Sequence, residues 1–89
     1  MIMIMSKIKK LIERFLSTPT DFTYDELKKL MRGFNYQESN KGKTSGSRVA
    51  FINFATGHII RLHKPHPGNI LKVYQLNDIE EELIKQGLI

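Results

Sequence analysis

The sequence predicts a small α+β domain in which a three-stranded antiparallel sheet packs against helices. Two amphipathic helical segments come first, three short strand-like segments follow, and a third amphipathic segment ends the chain. The 89 residues predict a single domain over residues 1–89. The chain contains no Cys, which excludes disulfide bonds, thiol nucleophiles and Cys-ligated zinc.

The first helix is predicted over residues 7–16, as an addition to the rest of the domain. Its apolar residues recur at the spacing of one helix face: Ile8, Leu11, Ile12, Phe15 and Leu16. Ser6 is the expected N-cap and Pro19 marks the break that follows. Residues 1–6 are expected to fray.

The second helix has a clear start signal. Thr23 and Glu26 have the spacing of a capping box, in which each side chain accepts a hydrogen bond from the other residue's backbone. Phe22 before the cap and Leu27 after it have the spacing of a hydrophobic staple. Gly33 is predicted to end this helix in the left-handed conformation.

Three strands are predicted next, over residues 34–40, 47–54 and 58–63. A flexible basic loop over residues 41–46 separates the first two, and residues 55–57 form the turn between the last two. A two-residue turn would place Arg48, Arg61 and His63 on one face of the sheet. The opposite, core face would then hold Val49, Phe51, Ile60 and Leu62. We prefer this register because its core face is consistently apolar, whereas a three-residue turn would mix the two faces.

The last helix is predicted to begin at Asn77, with Glu80 completing a second capping box, and to end at Gly87. Before it, residues 65–69 carry two prolines and must leave the sheet. Residues 70–74 fit either a helical turn or an extended link.

The net charge of +5 is concentrated in the middle of the sequence. From Ser39 to Asn77 there is no Asp or Glu, while all three His and six basic residues occur there: Lys41, Lys43, Arg48, Arg61, Lys64 and Lys72. The remaining residues hold eight basic and nine acidic side chains. This distribution favours a polyanionic partner, with RNA or DNA ahead of an anionic membrane, although a solvated face of a slightly basic protein would look the same.

The central residue types suit RNA chemistry better than metal chemistry. His63 and His66 lie on a strand end and a Pro-rich turn, with no carboxylate nearby in the sequence, so neither a metal nor a cofactor is expected. Attack of a ribose 2′-OH on its own phosphate needs a base and charge stabilisation. His63 or His66 could be the base, and Arg48 and Arg61 could stabilise the charge. Alternatively, the two imidazoles only help to bind phosphate.

In this context the sequence resembles the HicA-type toxins, small ribonucleases of bacterial toxin–antitoxin pairs. The resemblance covers Phe22 to Ile89. It depends on the order of a leading helix, a strand, a short hairpin and a closing helix, together with the motifs Gly46-Ser47, His66-Pro67-Gly68 and Gln86-Gly87-Leu88. It implies a fold similar to double-stranded-RNA-binding domains, metal-independent cleavage of mRNA, and inhibition by a HicB-type antitoxin.

The sequence departs from the family pattern at one position. The family usually has a His one or two residues after Gly-Ser, and here those residues are Arg48 and Val49. The expected catalytic residues are therefore His66, His63 and Arg48, and the alternative is an RNA-binding or regulatory module that does not cut. A third hypothesis is a protein-interaction domain that binds an acidic partner.

The expected location is the cytoplasm. No apolar run approaches the roughly 18 residues of a membrane span, and the basic residues follow the apolar start instead of preceding it as in a signal peptide. The additional first helix is expected either to cover the core or to form a weak homo-oligomer contact.

Overall fold

The computed structural model describes residues 2–39 and 48–89, with side chains from Lys7 onward. It contains three helices and three strands, in an α+β arrangement that confirms the predicted class. In chain order the elements are α1 (Ile2–Leu16), α2 (Tyr24–Gly33), β1 (Tyr36–Ser39), β2 (Arg48–Asn53), β3 (Ile59–His63) and α3 (Val73–Lys85).

Helix α1 begins earlier than its polar pattern indicates. It is already helical at Ile2, so Ser6 lies inside the helix and the predicted N-cap is wrong. Met and Ile are compatible with a helix interior, and the capping preference of one Ser does not oblige a helix to start there. The helix ends at Leu16, as predicted.

Helix α2 confirms its predicted start and corrects its predicted end. The Thr23 hydroxyl accepts from the Glu26 backbone N–H at 3.1 Å, and a Glu26 carboxylate oxygen accepts from the Thr23 N–H at 2.9 Å. The left-handed residue after the helix is Asn35, with φ of 71°, and Gly33 stays helical. A Cβ atom on Gly33 would lie 2.8 Å from Ile8 Cδ1, so this glycine permits the close approach of α1.

The sheet has the order β1-β2-β3, and both pairings are antiparallel. Arg48 pairs with His63 and Ile52 with Ile59, which confirms the predicted division of faces. The connecting loop spans residues 54–57 instead of the two-residue turn that we expected, with the Gly57 N–H donating to the Asn53 carbonyl. Because both loop lengths are even, the side chains keep the same faces.

Helix α3 starts at Val73, four residues before the predicted Asn77, so the second capping box is wrong. Lys72 is the N-cap residue, and its backbone N–H donates to the Gln75 side-chain oxygen at 3.0 Å. Val73 and Tyr74 are exposed, so the first turn of α3 does not contribute to the buried apolar stripe. The start of the helix could therefore not be predicted from that stripe. The helix ends as predicted, with Gly87 left-handed at φ of 72°.

The helices lie on one side of the sheet and enclose the core with it. Helix α2 contacts β1, α3 contacts β3, and α1 packs on α2. The buried apolar residues come from all three helices, the strands and two connecting segments: Phe15, Phe22, Tyr24, Leu27, Leu30, Met31, Tyr36, Val49, Phe51, Ile60, Leu71, Leu76, Ile79 and Leu83. The described strand residues that point to the other side, which we call the outer face of the sheet, are all exposed or half-buried.

Candidate nucleic-acid interface

The register of the sheet brings three of the predicted site residues together on the outer face. Arg48, Arg61 and His63 are all exposed there. The outer face is completed by Gln37, Ser39, Ala50, Ile52 and Ile59. It therefore carries no acidic side chain among the described residues.

Arg48 and His63 are direct cross-strand neighbours on this face. The Asn53 N–H donates to the His58 carbonyl at 2.8 Å, which makes that pair a hydrogen-bonded one. Antiparallel pairs alternate, so Arg48 with His63 form a non-hydrogen-bonded pair, in which Cα atoms are typically about 4.5 Å apart. A guanidinium and an imidazole are thus placed where both can reach one phosphate.

Arg61 extends the same cationic surface towards the middle of the sheet. It pairs with Ala50, which has a small side chain. Ile52 and Ile59 form the next cross-strand pair and give the face an apolar end. The charged part of this surface can contact a phosphate backbone.

An acidic wall borders this face along the outer edge of β3. A groove of about 420 Å³ lies between that edge and α3. Arg61 and His63 line its strand side, and its helical side carries Asp78, Glu81 and Glu82. These carboxylates repel a phosphate backbone. A nucleic-acid strand on the outer face would therefore run away from α3, towards β2 and β1.

Two of the predicted cations lie elsewhere. The Lys64 ammonium sits 5.4 Å from the centre of the Tyr24 ring, whose hydroxyl donates to Glu38 on the inner side of the sheet. Burial, followed by the hydrogen bond to Glu38, raises the pKa of Tyr24, so it remains a neutral phenol. Lys72 is exposed at the start of α3. Lys64 follows His63 by one residue, so alternation takes its side chain to the side opposite the outer face.

The remaining predicted site residues divide between the described and undescribed parts of the chain. His66 is exposed in the segment that follows β3. Lys41 and Lys43, with the Gly46-Ser47 motif, lie outside the described residues.

His58 has a role that its sequence position did not reveal. It faces the helices, where its Nδ1 is 2.8 Å from the Tyr36 hydroxyl and its Nε2 is 3.2 Å from a Glu82 oxygen. A carboxylate can only accept, so with neutral His58 the proton is on Nε2 and the phenol donates to Nδ1. Burial raises the pKa of Tyr36, against an opposing hydrogen bond from Asn53, and this keeps the phenol protonated. His58 therefore links β1, β3 and α3.

Neither a metal cluster nor a membrane helix is found in the described part of the chain. No group of three or more His, Asp and Glu side chains within residues 2–39 and 48–89 could hold a metal ion. Over the same residues, every helix is too short or too polar to cross a bilayer.

Comparisons with known proteins identify no relative. The chain matches no protein-family model, no curated protein and no solved structure.

Proposed function

We propose that this chain is a HicA-like toxin that binds RNA on the outer face of its sheet and cleaves it without a metal. The observation that supports this proposal most is the convergence of Arg48, Arg61 and His63 on one exposed face, whose described strand residues include no Asp or Glu. The order of α2, three antiparallel strands and α3 also agrees with the order of a double-stranded-RNA-binding-like domain.

Binding rests on the two arginines. A guanidinium can hold a phosphate through two parallel hydrogen bonds and remains charged at all physiological pH values. Arg48 and Arg61 occupy adjacent strands, two residues out of register, so they can contact successive phosphates of one strand. This mode of binding predicts affinity that falls steeply with salt, since each contact releases condensed counterions.

In the proposed cleavage reaction, an imidazole acts as the general base. His63, in its neutral form, takes the proton of a ribose 2′-OH, and the oxygen forms a bond to the adjacent phosphorus. The bond from phosphorus to the 5′-oxygen breaks, and that oxygen takes a proton from the imidazolium of His66, the general acid. The products are a 2′,3′-cyclic phosphate and a free 5′-hydroxyl. Arg48, opposite His63, stabilises the added negative charge, and His66 is the second imidazole assigned to proton transfer.

A second candidate function is RNA binding without cleavage. The specific observation that favours it is Arg48, which stands where the HicA-type family usually has a His. An arginine cannot act as a base because its guanidinium stays protonated.

Binding is tested by titrating a labelled single-stranded RNA at several salt concentrations. The double variant R48A/R61A should bind more weakly, with a salt slope smaller by about two. The matched control is K9A/K85A, which removes two exposed cations from the helices and should leave the slope unchanged. Equal slopes for all three proteins would reject the outer face as the RNA site.

Cleavage is tested with the same RNA in the presence of a chelator. We expect fragments ending in a 2′,3′-cyclic phosphate from the wild-type chain, and none from H63A although it still binds. H66A should cut more slowly. An intact RNA across pH 5 to 8, with binding retained, would establish the second candidate instead. In that case R48H, which restores the family's imidazole, is the variant expected to gain cleavage.

The toxin role predicts a HicB-like antitoxin as protein partner. Induced alone, the chain should inhibit bacterial growth, and co-expression with the product of an adjacent HicB-like gene should relieve the inhibition. Growth unaffected by the chain alone would contradict the toxin role.

A further inference from the structure

A second cationic surface lies in the helix layer, away from the outer face of the sheet. Helices α1 and α2 enclose a groove of about 750 Å³ between their exposed sides. Its floor is apolar and consists of Ile8 and Leu11 from α1 and the backbone of Gly33 from α2. The nine residues that line it are Lys7, Ile8, Lys10, Leu11, Arg14, Glu26, Lys29, Arg32 and Gly33.

The rim of this groove is strongly positive. Lys7 and Lys10 stand on the α1 wall, and Lys29 and Arg32 stand on the α2 wall. No described carboxylate lies within ion-pair distance of these four side chains. All four are exposed.

The one acidic side chain in the groove is already neutralised. Glu26 accepts from Arg14 Nε at 2.8 Å and from Arg14 Nη2 at 3.0 Å, a two-point contact that also ties α1 to α2. Arg14 further contacts Asp21 at 3.2 Å. This closed cluster leaves the four rim cations without an internal counter-charge.

We propose that this groove binds an acidic amphipathic helix of a partner protein. An apolar floor between two cationic walls matches a helix with an apolar stripe flanked on both sides by Asp or Glu. Two packed helices also present ridges and grooves into which a third helix can fit.

The shape and composition of the groove disfavour other anionic partners. A nucleic-acid backbone places charged phosphates at its surface and has no apolar stripe to cover Ile8 and Leu11. A lipid bilayer is flat on this scale and cannot enter a concave cleft between two helices. The partner helix should carry its apolar anchors at i, i+4 and i+7, with carboxylates beside them to reach both walls.

The test uses a synthetic acidic helix as the probe. It is a labelled peptide of about 15 residues, with Leu anchors at that spacing, Glu on both flanks and side-chain bridges that keep it helical. The control peptide has the same composition in scrambled order. Binding to the full chain is measured by fluorescence anisotropy, and the site is located by backbone amide chemical shifts.

We expect the ordered peptide to bind and to shift the amides of α1 and α2. The variant K10E/K29E, with one reversal on each wall, should weaken binding by roughly tenfold or more. The matched control K9E reverses an exposed charge on the other face of α1 and should change binding by less than about twofold. Circular dichroism verifies that both variants remain folded.

Three results would overturn the proposal. Equal binding of the scrambled peptide would show that only net charge is recognised. Equal weakening by K9E would show that the groove is not the site. A single-stranded RNA that shifts the amides of α1 and α2 more strongly than the peptide would assign the groove to nucleic acid instead. None of these results depends on whether the outer face of the sheet binds or cleaves RNA.

Discussion

The molecule has two cationic surfaces that arise in different ways. The outer face of the sheet takes Arg48, Arg61 and His63 from a stretch of sequence without acids. The groove between α1 and α2 takes its cations from two helices whose sequences also contain acids, among them Glu13 and Asp25. The first surface is cationic because of its composition, and the second because of how the side chains are sorted in space.

This difference affects how each surface is supported. The outer face is carried by a hydrogen-bonded sheet, so its side chains are held in register by the backbone. The groove exists only while α1 stays packed on α2, and that packing depends on a few side chains. Changes that release α1 should therefore remove the groove and leave the outer face in place.

The largest effect is expected from F15A. Phe15 is almost fully buried and meets the Phe22 ring edge-on at 5.7 Å between centroids. Its loss should lower the free energy of unfolding by about 3–5 kcal/mol, measured by urea denaturation. At low temperature the folded variant should lose peptide binding in the groove and keep RNA binding on the sheet.

The control for F15A is L16A, because the neighbouring side chain is 43% exposed. It should cost less than about 1 kcal/mol. If the two variants lost similar amounts of unfolding free energy, the buried position of Phe15 would make no specific contribution to stability.

A smaller effect is expected from Y36F, which affects the sheet instead of the groove. This change removes the phenol that donates to His58 and loosens the link between the sheet and α3. The change also removes the hydrogen bond between the phenol and Asn53, so the free energy of unfolding should fall by about 1–2 kcal/mol for the two bonds. Y74F is the control, since Tyr74 is 59% exposed, and it should not change stability. If Y36F and the wild-type chain had equal free energies of unfolding, the link to His58 would contribute nothing to stability.

The Arg14–Glu26 pair makes stability at the groove depend on pH. Hydrogen bonds from Arg14 lower the pKa of Glu26 from its usual 4.5 to about 2. The pair therefore stabilises the fold fully above about pH 4.5 and loses that contribution as the pH falls towards 2. Because both side chains are partly exposed, we expect about 1 kcal/mol.

The measurement for this pair is urea unfolding at several pH values between 2 and 6. E26Q should remove this part of the pH dependence, whereas E81Q, an exposed change on α3, should retain it. If the unfolding free energy of the wild-type chain varied with pH in the same way as that of E26Q, the pair would not be formed in solution.

The smallest effect is expected from K64A. Its ammonium lies over the Tyr24 ring on the inner side, so its removal should cost about 0.5 kcal/mol of stability. RNA titrations should show the same salt slope as the wild-type chain, in contrast to R61A. A reduction of the slope equal to that of R61A would mean that Lys64 reaches RNA bound on the outer face.

Periodicity and short-range signals predicted much of the fold. The α2 capping box depends on residues three apart, and the strand faces depend on strict alternation, so both could be predicted locally. The start of α3 could not be predicted in this way. Gln75 is held there by its bond to the His63 carbonyl at 2.9 Å, a contact between residues twelve apart in the chain.

The residues of the candidate site also divide into those that a local pattern predicted and those that it did not. Sequence alternation placed Arg48, Arg61 and His63 together, and the same alternation takes Lys64, one residue after His63, to the other side. His58 looked like another surface imidazole, because no local pattern links it to Tyr36 or to Glu82, more than twenty residues away on either side.

The amino-acid sequence by itself determined the α+β class, the faces of the sheet and the cationic character of its middle third, because each depends on neighbouring residues. Only the tertiary structure decided which charges meet. The packing of α1 on α2 pairs Arg14 with Glu26 and leaves Lys10 and Lys29 facing each other across an apolar floor. Coulomb interactions depend on distance in space, and folding sets that distance for residues far apart in the chain.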